Sequence, residues 1–265
     1  MTSITHHIAL GIITALLVLL CVSPDSKANS NLMPFAPGER LEYQLRWENV
    51  PAGSAWLEVH PIKTINGQQA YHFVLKAESN AFVDMFYKVR DRIDAYADVE
   101  MTRSVHYEKD NREGRHTKKE TIAFDWEKNC AVYSKQDEDK KKSLTLLDGS
   151  FDPLSAFYFT RTLEFDVGQQ LERPVTDGRK NVVGRMRVVG RETITLQNGK
   201  KYDTFLVEPD MKDVGGVFEK SDDSKIQLWV TADDKRIPVK IQSKVVVGHF
   251  IGELVATKGV DLDHP

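Results

Sequence analysis

The residue best placed for acid–base chemistry is an aspartate in a run of alternating residues, 89–97. Alternation puts Asp91 on the same face as Ile93 and Ala95, so its carboxylate points toward the apolar side. A buried carboxylate is costly unless it is paired or hydrogen-bonded, and active sites use such perturbed acids. Two roles follow for Asp91. The pattern favours a buried ion pair with Arg161, and the alternative is a catalytic acid.

Arg161 belongs to a second set of polar candidates, on a predicted helix. Asp152 followed by Pro153 is a strong helix start, with the aspartate as N-cap and the proline at the first helical position. The helix that follows carries Ser155, Tyr158 and Arg161. We expect Ser155 and Tyr158 to satisfy buried backbone groups rather than to react.

Aromatic side chains on another predicted helix are candidates for contact with a ligand. Residues 80–87 follow Ser79, which is a suitable N-cap. A helix there places Phe82 and Phe86 one turn apart on one face, directly before Tyr87. All three aromatic residues are therefore candidate binding residues.

Trp56 is a further binding candidate, because it breaks the pattern of its strand. It alternates with Leu57 and Val59 and so lies on the polar side of the predicted strand. An exposed tryptophan can stack on a sugar or contact a membrane or a partner protein. It can equally pack against a second layer of the fold.

Recognisable catalytic and metal-binding motifs are absent from the sequence. There is no nucleophile elbow, no phosphate-binding loop and no dinucleotide fingerprint. The histidines are scattered, without the spacing of a helical zinc site, and the acidic segment 221–224 lacks the spaced ligands of a calcium loop. Cys130 is predicted to be a buried, inert thiol. We therefore expect no cofactor, no metal and no enzymatic activity.

Period-two alternation dominates the chain and predicts its fold. More than a dozen short runs alternate between apolar and polar residues, and Asn-Gly pairs at 66–67 and 198–199 mark tight turns between them. A sheet of that width must curl, close or split. The prediction is an all-β fold, a large curved antiparallel sheet or open β-barrel, with two short helices capping its mouth.

The first 28 residues predict where the protein works. An apolar run at 8–22, followed by Ser26, Lys27 and Ala28, is typical of a secretory signal peptide cleaved after Ala28. Residues 29–265 would then be a single periplasmic β domain with no membrane span. An uncleaved anchor is the alternative, because no Lys or Arg precedes the apolar run. The formal net charge of −3 gives no electrostatic basis for binding nucleic acid.

Several motifs resemble bacterial exported proteins catalogued as domain of unknown function 3108. Together they cover nearly the whole predicted mature chain in the expected order. The matching stretches are MPFAPGERLEY at 33–43, FYKVRDR at 86–92, DPLSAFY at 152–158, LWVT at 228–231, RIPVK at 236–240 and residues 248–254. The resemblance implies export to the periplasm and a mostly β domain, and it supplies no established activity.

These observations favour a non-enzymatic envelope protein. The preferred function is binding of an apolar or amphipathic envelope ligand, such as a lipid, or of a partner protein, in the concavity of the sheet. One alternative is a scaffold that binds glycan or peptidoglycan through Trp56. The other is a hydrolase-like enzyme that uses Asp91.

Overall fold

The computed structural model describes residues 33–136, 138, 140–210, 225–244 and 248–262. The predicted signal peptide, 1–28, lies outside the described residues.

Fourteen strands form one antiparallel sheet, which confirms the predicted all-β class. The order across the sheet follows the sequence, except that the first strand pairs with the last. The strands are β1 (Arg40–Trp47), β2 (Val50–Ile65), β3 (Gln68–Ser79), β4 (Arg90–Asp98), β5 (Ser104–Glu113), β6 (His116–Asp125), β7 (Cys130–Lys135), β8 (Lys142–Thr145), β9 (Gln170–Thr176), β10 (Asn181–Thr195), β11 (Lys201–Pro209), β12 (Ile226–Thr231), β13 (Pro238–Lys244) and β14 (His249–Lys258). The order is β8-β7-β6-β5-β4-β3-β2-β1-β14-β13-β12-β11-β10-β9.

Alternation along the strands builds the core, as the sequence predicts. In β1, Leu41, Tyr43 and Leu45 are buried while Glu42 and Gln44 face outward. The same inward rows on the other strands join into one large apolar cluster on the concave side of the sheet.

The structure differs from the predicted strands at the two edges of the sheet. The alternating runs at 182–189 and 192–196, which predict two separate strands, are one long strand, β10, and alternation marks neither of the edge strands β8 and β9. β8 is short and almost wholly exposed, and β9 contains Pro174. Both features suit edge strands and weaken the apolar alternation that reveals central ones.

The two edges of the sheet approach each other without closing a barrel. The segment after β8 reaches β9, where the Phe151 amide donates to the Pro174 carbonyl at 3.0 Å and the Thr176 amide donates to the Phe151 carbonyl at 2.9 Å. Nearby, Asn181 Nδ2 donates to the Thr145 carbonyl at 2.6 Å. A connecting segment thus joins the edges of a strongly curled sheet.

The two helices lie at opposite ends of the sheet rather than together at one mouth. α1 (Ala81–Asp84) connects the end of β3 to the start of β4. α2 (Pro153–Thr160) begins beside the start of β5, where Ser104 Oγ donates to Asp152 Oδ2 at 2.5 Å. We call these two ends of the sheet the α1 end and the α2 end.

Candidate functional site

The first turn of α1 is fixed to the start of β2. Asn80, rather than the predicted Ser79, is the N-cap, and its Oδ1 accepts from the Val83 amide at 2.9 Å. Its Nδ2 donates to the Pro51 carbonyl at 2.7 Å, and its amide donates to the Ala52 carbonyl at 2.9 Å. A single residue therefore caps the helix and ties it to the sheet.

The last residue of α1 is fixed to β4 by an ion pair. Arg90 donates to both carboxylate oxygens of Asp84, at 2.6 and 3.1 Å, and Ser79 Oγ also donates to Asp84. The hydrogen bond from Arg90 holds the pKa of Asp84 below its usual value. Since paired side chains hold both ends of this one-turn helix, its orientation is set by specific bonds.

This fixed helix and the two residues directly after it present three large apolar side chains to solvent. Phe82, Met85 and Phe86, the apolar trio, are 57%, 70% and 73% exposed, and α1 itself has no buried residue. The two phenylalanine rings lie 5.7 Å apart in an edge-to-face arrangement. The predicted pairing of Phe82 and Phe86 is present, and the face they share meets water.

Tyr87 connects α1 to the concave face of the sheet. Its amide donates to the Val83 carbonyl at 2.8 Å, and its hydroxyl lies 3.4 Å from Glu113 Oε2. Burial and the charge of Glu113 raise the pKa of Tyr87 to about 12. The ring packs against Gly114 in the β5–β6 turn, where an added Cβ would lie 2.9 Å from Tyr87 Cε2. Tyr87 therefore covers the polar groups behind it.

Those groups form a buried acid cluster of Asp91, Asn111 and Glu113. Asp91 Oδ1 accepts from the Arg112 amide at 2.7 Å, and Asn111 Nδ2 donates to Glu113 Oε1 at 3.1 Å. Asp91 Oδ2 and Asn111 Oδ1 have no donor among the described residues. Burial raises the pKa of Asp91 to about 7, and the adjacent Glu113 carboxyl acts in the same direction.

The predicted ion pair between Asp91 and Arg161 does not form, because these residues lie toward opposite ends of the sheet. Asp91 is the second residue of β4, at the α1 end, and Arg161 is the C-cap of α2. Buried acids with a raised pKa, such as Asp91, occur in active sites and in structural networks alike, so the cluster alone assigns no reaction.

Arg161 instead ties α2 to other parts of the fold. It is buried and donates to both carboxylate oxygens of Glu39, at 2.5 and 3.0 Å. It also donates to the carbonyls of Pro34 and Lys235, at 2.9 and 3.1 Å. The guanidinium thus links the helix to the start of β1 and to the β12–β13 turn, which is a structural role.

Ser155 and Tyr158 are buried in α2, in the same region as Arg161. The Ser155 amide donates to Asp152 Oδ1 at 2.9 Å, and the Tyr158 ring stacks on Phe73 at 4.0 Å. The hydroxyls of Ser155 and Tyr158 have no hydrogen-bond partner among the described residues, so the expected bonds to buried backbone groups are not present. The structure therefore splits the predicted site residues. Phe82, Phe86, Tyr87 and Asp91 gather at the α1 end, and the α2 residues lie in the core.

Trp56 stands apart from both groups, on the outer face of β2. It is partly buried, and the Arg40 guanidinium lies 5.6 Å from the ring centroid. Its indole Nε1 is buried and has no acceptor among the described residues. One face of the ring is covered, so the open stacking surface that a sugar requires is reduced.

Three histidines and a tyrosine form a row across the outer face that the sequence did not reveal. His60, His72, Tyr96 and His106 are paired in register on β2, β3, β4 and β5. In each histidine, Nε2 lies between 2.7 and 2.9 Å from a carboxylate oxygen. Only the strand register brings these residues together, so spacing along the chain carried no signal of the row.

The described residues hold neither a candidate metal site nor a membrane-spanning helix. No group of three or more His, Cys, Asp or Glu side chains there is arranged to hold a metal ion. Over the same residues, neither helix is long and apolar enough to cross a membrane.

Comparison with known proteins shows the fold and the family. The fold is similar to a crystal structure described as a beta-barrel-like protein of domain of unknown function DUF1849 from Brucella abortus, with a TM-score of 0.51 and 10% identity over 85% of this chain and 98% of that chain. No protein with a curated description matches. The family described as protein of unknown function DUF3108 matches residues 42–255, in agreement with the resemblance of the motifs, and the chain belongs to that family.

Proposed function

We propose that this protein is a non-enzymatic component of the bacterial cell envelope that binds amphipathic lipid at its α1 end. The observation that carries the proposal is the apolar trio, held in water by a helix that specific bonds orient. Burying a Phe or Met side chain stabilises a protein by about 1.5–3 kcal/mol. Three such side chains left exposed forgo that stabilisation, which a binding partner would recover.

Polar groups also lie directly behind the apolar trio at the α1 end, where Tyr87 covers them. Behind Tyr87, the concave faces of β4 and β5 carry Asp91, Lys109, Asn111 and Glu113. Burial lowers the pKa of Lys109. At the α2 end, α2 itself packs into the concavity. This distribution supports binding at the rim of the α1 end more than insertion of an acyl chain deep into the sheet.

A binding titration tests the proposal. Lysophosphatidylcholine, kept below its critical micelle concentration, is titrated into the protein and followed by calorimetry. We expect saturable binding, weakened at least about ten-fold by the double substitution Phe82→Ser and Phe86→Ser. The matched control is Val167→Ser, because Val167 is 59% exposed and precedes β9 at the α2 end. No saturable binding, or equal losses in both variants, would overturn the proposal.

The cellular location is part of the same proposal. The short apolar run at 8–22 and the resemblance of the motifs to exported proteins support export to the periplasm with cleavage after Ala28. N-terminal sequencing of the protein recovered from a periplasmic extract tests it. A new N-terminus at Asn29 is expected, and a chain that starts at Met1 in the membrane fraction would contradict it.

A further inference from the structure

Two exposed cations stand beside the apolar trio. Lys88 follows Tyr87 directly, and Arg115 lies in the β5–β6 turn. The segments are adjacent, because the Gly114 amide donates to the Lys88 carbonyl at 2.7 Å. Both side chains are exposed, and neither forms an ion pair with a described residue. Their charges are therefore available to a partner.

The acidic residues around these cations are paired with arginines or covered. Asp84 and the exposed Glu78 share Arg90, at 2.6 and 3.6 Å, and Asp110 is paired with Arg112 at 2.7 Å. Glu113 is buried beneath Tyr87. The exposed surface next to the trio is therefore locally basic, in a chain whose formal net charge is −3.

We propose that the α1 end docks on a lipid bilayer that contains anionic lipids. The apolar trio inserts among the acyl chains at the interface, and Lys88 and Arg115 contact lipid phosphates. A projecting group of apolar side chains flanked by cations fits such a surface, since apolar burial and attraction to anionic lipid act together there. This inference rests on the proposed function and specifies the lipid surface.

The shape of α1 favours a bilayer over a single enclosed lipid. The trio projects from α1 and the turn directly after it, and α1 has no buried residue, so the helix itself provides no wall around a ligand. A lipid carrier encloses most of its ligand in a concave site. At a planar bilayer interface, by contrast, all the exposed side chains of a projecting apolar group can contact lipid.

Vesicle co-sedimentation tests the inference with the processed protein. Phosphatidylcholine vesicles are compared with vesicles that also contain phosphatidylglycerol, at low and at high salt. We expect binding to the anionic vesicles to be about ten-fold tighter, with the difference lost at high salt. Equal binding to both vesicles would overturn the charge inference and leave the proposed function standing. Binding to neither kind of vesicle, together with no binding of lysophosphatidylcholine, would overturn both.

Charge-reversal variants place the effect at the α1 end. Lys88→Glu with Arg115→Glu should remove the preference for anionic vesicles. Lys201→Glu, an exposed site at the start of β11 at the α2 end, should keep the preference. Circular dichroism verifies that each variant is folded. The inference fails if the double variant keeps the preference, or if Lys201→Glu removes as much of it.

Discussion

The two helices are built with the same local chemistry and meet opposite environments. Each begins after a side-chain cap, Asn80 in α1 and Asp152 in α2, and each is tied to strands by further hydrogen bonds. Six of the eight residues of α2 are buried, whereas α1 has none. Caps and bonds therefore fix where a short helix sits, and burial separates a helix that stabilises the core from one that is available for binding.

The ion pairs at the two helices differ in the same way. Arg161 and Glu39 are both almost fully enclosed, and Arg90 and Asp84 are partly open to solvent. Both arginines donate to two carboxylate oxygens. A buried charge that loses its partner is left in a medium of low polarity, while an exposed one is solvated. The energetic roles of the two pairs should therefore differ strongly.

The largest expected effect follows from that difference. Arg161→Ala leaves Glu39 buried without its partner and should lower the free energy of unfolding by about 3–5 kcal/mol. The matched substitution Arg90→Ala at α1 should cost at most about 1 kcal/mol. Urea denaturation of both variants measures the contrast. Similar losses in the two variants would break the comparison between the helices.

The buried acid cluster predicts a pH-dependent effect at the α1 end. Because the folded-state pKa of Asp91 is about 7, above its ordinary value of 3.8, native Asp91 holds a proton that the unfolded chain releases between these values. Stability should therefore fall as the pH rises through this window. Asp91→Asn keeps an acceptor for the Arg112 amide and cannot ionise, so it should remove this loss.

We expect Asp91→Asn to match the native protein near about pH 4 and to exceed its stability by about 1–3 kcal/mol near about pH 8. Urea midpoints at the two pH values provide the measurement. A loss of stability that is the same at both would show that Asp91 is held as a charged partner instead.

A smaller effect should follow from crowding Tyr87. Gly114 has a φ of +60°, and an added Cβ would lie 2.9 Å from Tyr87 Cε2, so Gly114→Ala combines backbone strain with displacement of the ring. We expect a loss of about 1–2 kcal/mol. In the control Gly199→Ala, φ is +81° with no atom within 4 Å of the new Cβ, so only the backbone part remains. Equal losses would show that Tyr87 moves freely.

The smallest effect on stability should come from the apolar trio. Phe86→Ser should change the free energy of unfolding by no more than about 0.5 kcal/mol, because the ring is exposed. Phe157→Ala, in buried α2, should cost about 3–5 kcal/mol. Thermal and urea unfolding compare the two. A large loss in Phe86→Ser would mean that the trio stabilises the fold and would weaken the proposed binding role.

The fold was largely predictable from alternation, because each central strand has one face toward solvent and one face toward the core. The residues of β1 show this directly, with Leu41, Tyr43 and Leu45 inward. β8 and β9 could not be predicted, since edge strands pack on fewer neighbours and need less apolar alternation. Alternation also placed Asp91 inward correctly, and it is only 4% exposed.

The parts of the site that depend on distant contacts could not be predicted. Periodicity showed that Phe82 and Phe86 share a face, but not what that face meets. The partner of Arg161 is Glu39, which precedes the alternation of β1 and had no pattern to mark it. Lys88 and Arg115 lie in neighbouring segments only because the β5–β6 turn returns beside the end of α1, where the Gly114 amide donates to the Lys88 carbonyl. Through-space pairing of remote segments is not encoded in local residue spacing.

The pairing of the first strand with the last has a consequence for how the chain folds. β1 to β8 and β9 to β14 are each an uninterrupted run of strands that pair with their sequence neighbours, and among the pairings between described strands only β1 with β14 joins the two runs. Pairings between sequence neighbours form quickly, whereas one between distant residues must first close a long loop. We expect each of the two runs of strands to form before β1 pairs with β14. Until β14 arrives, β1 is an open edge at which another copy of the chain could add a strand.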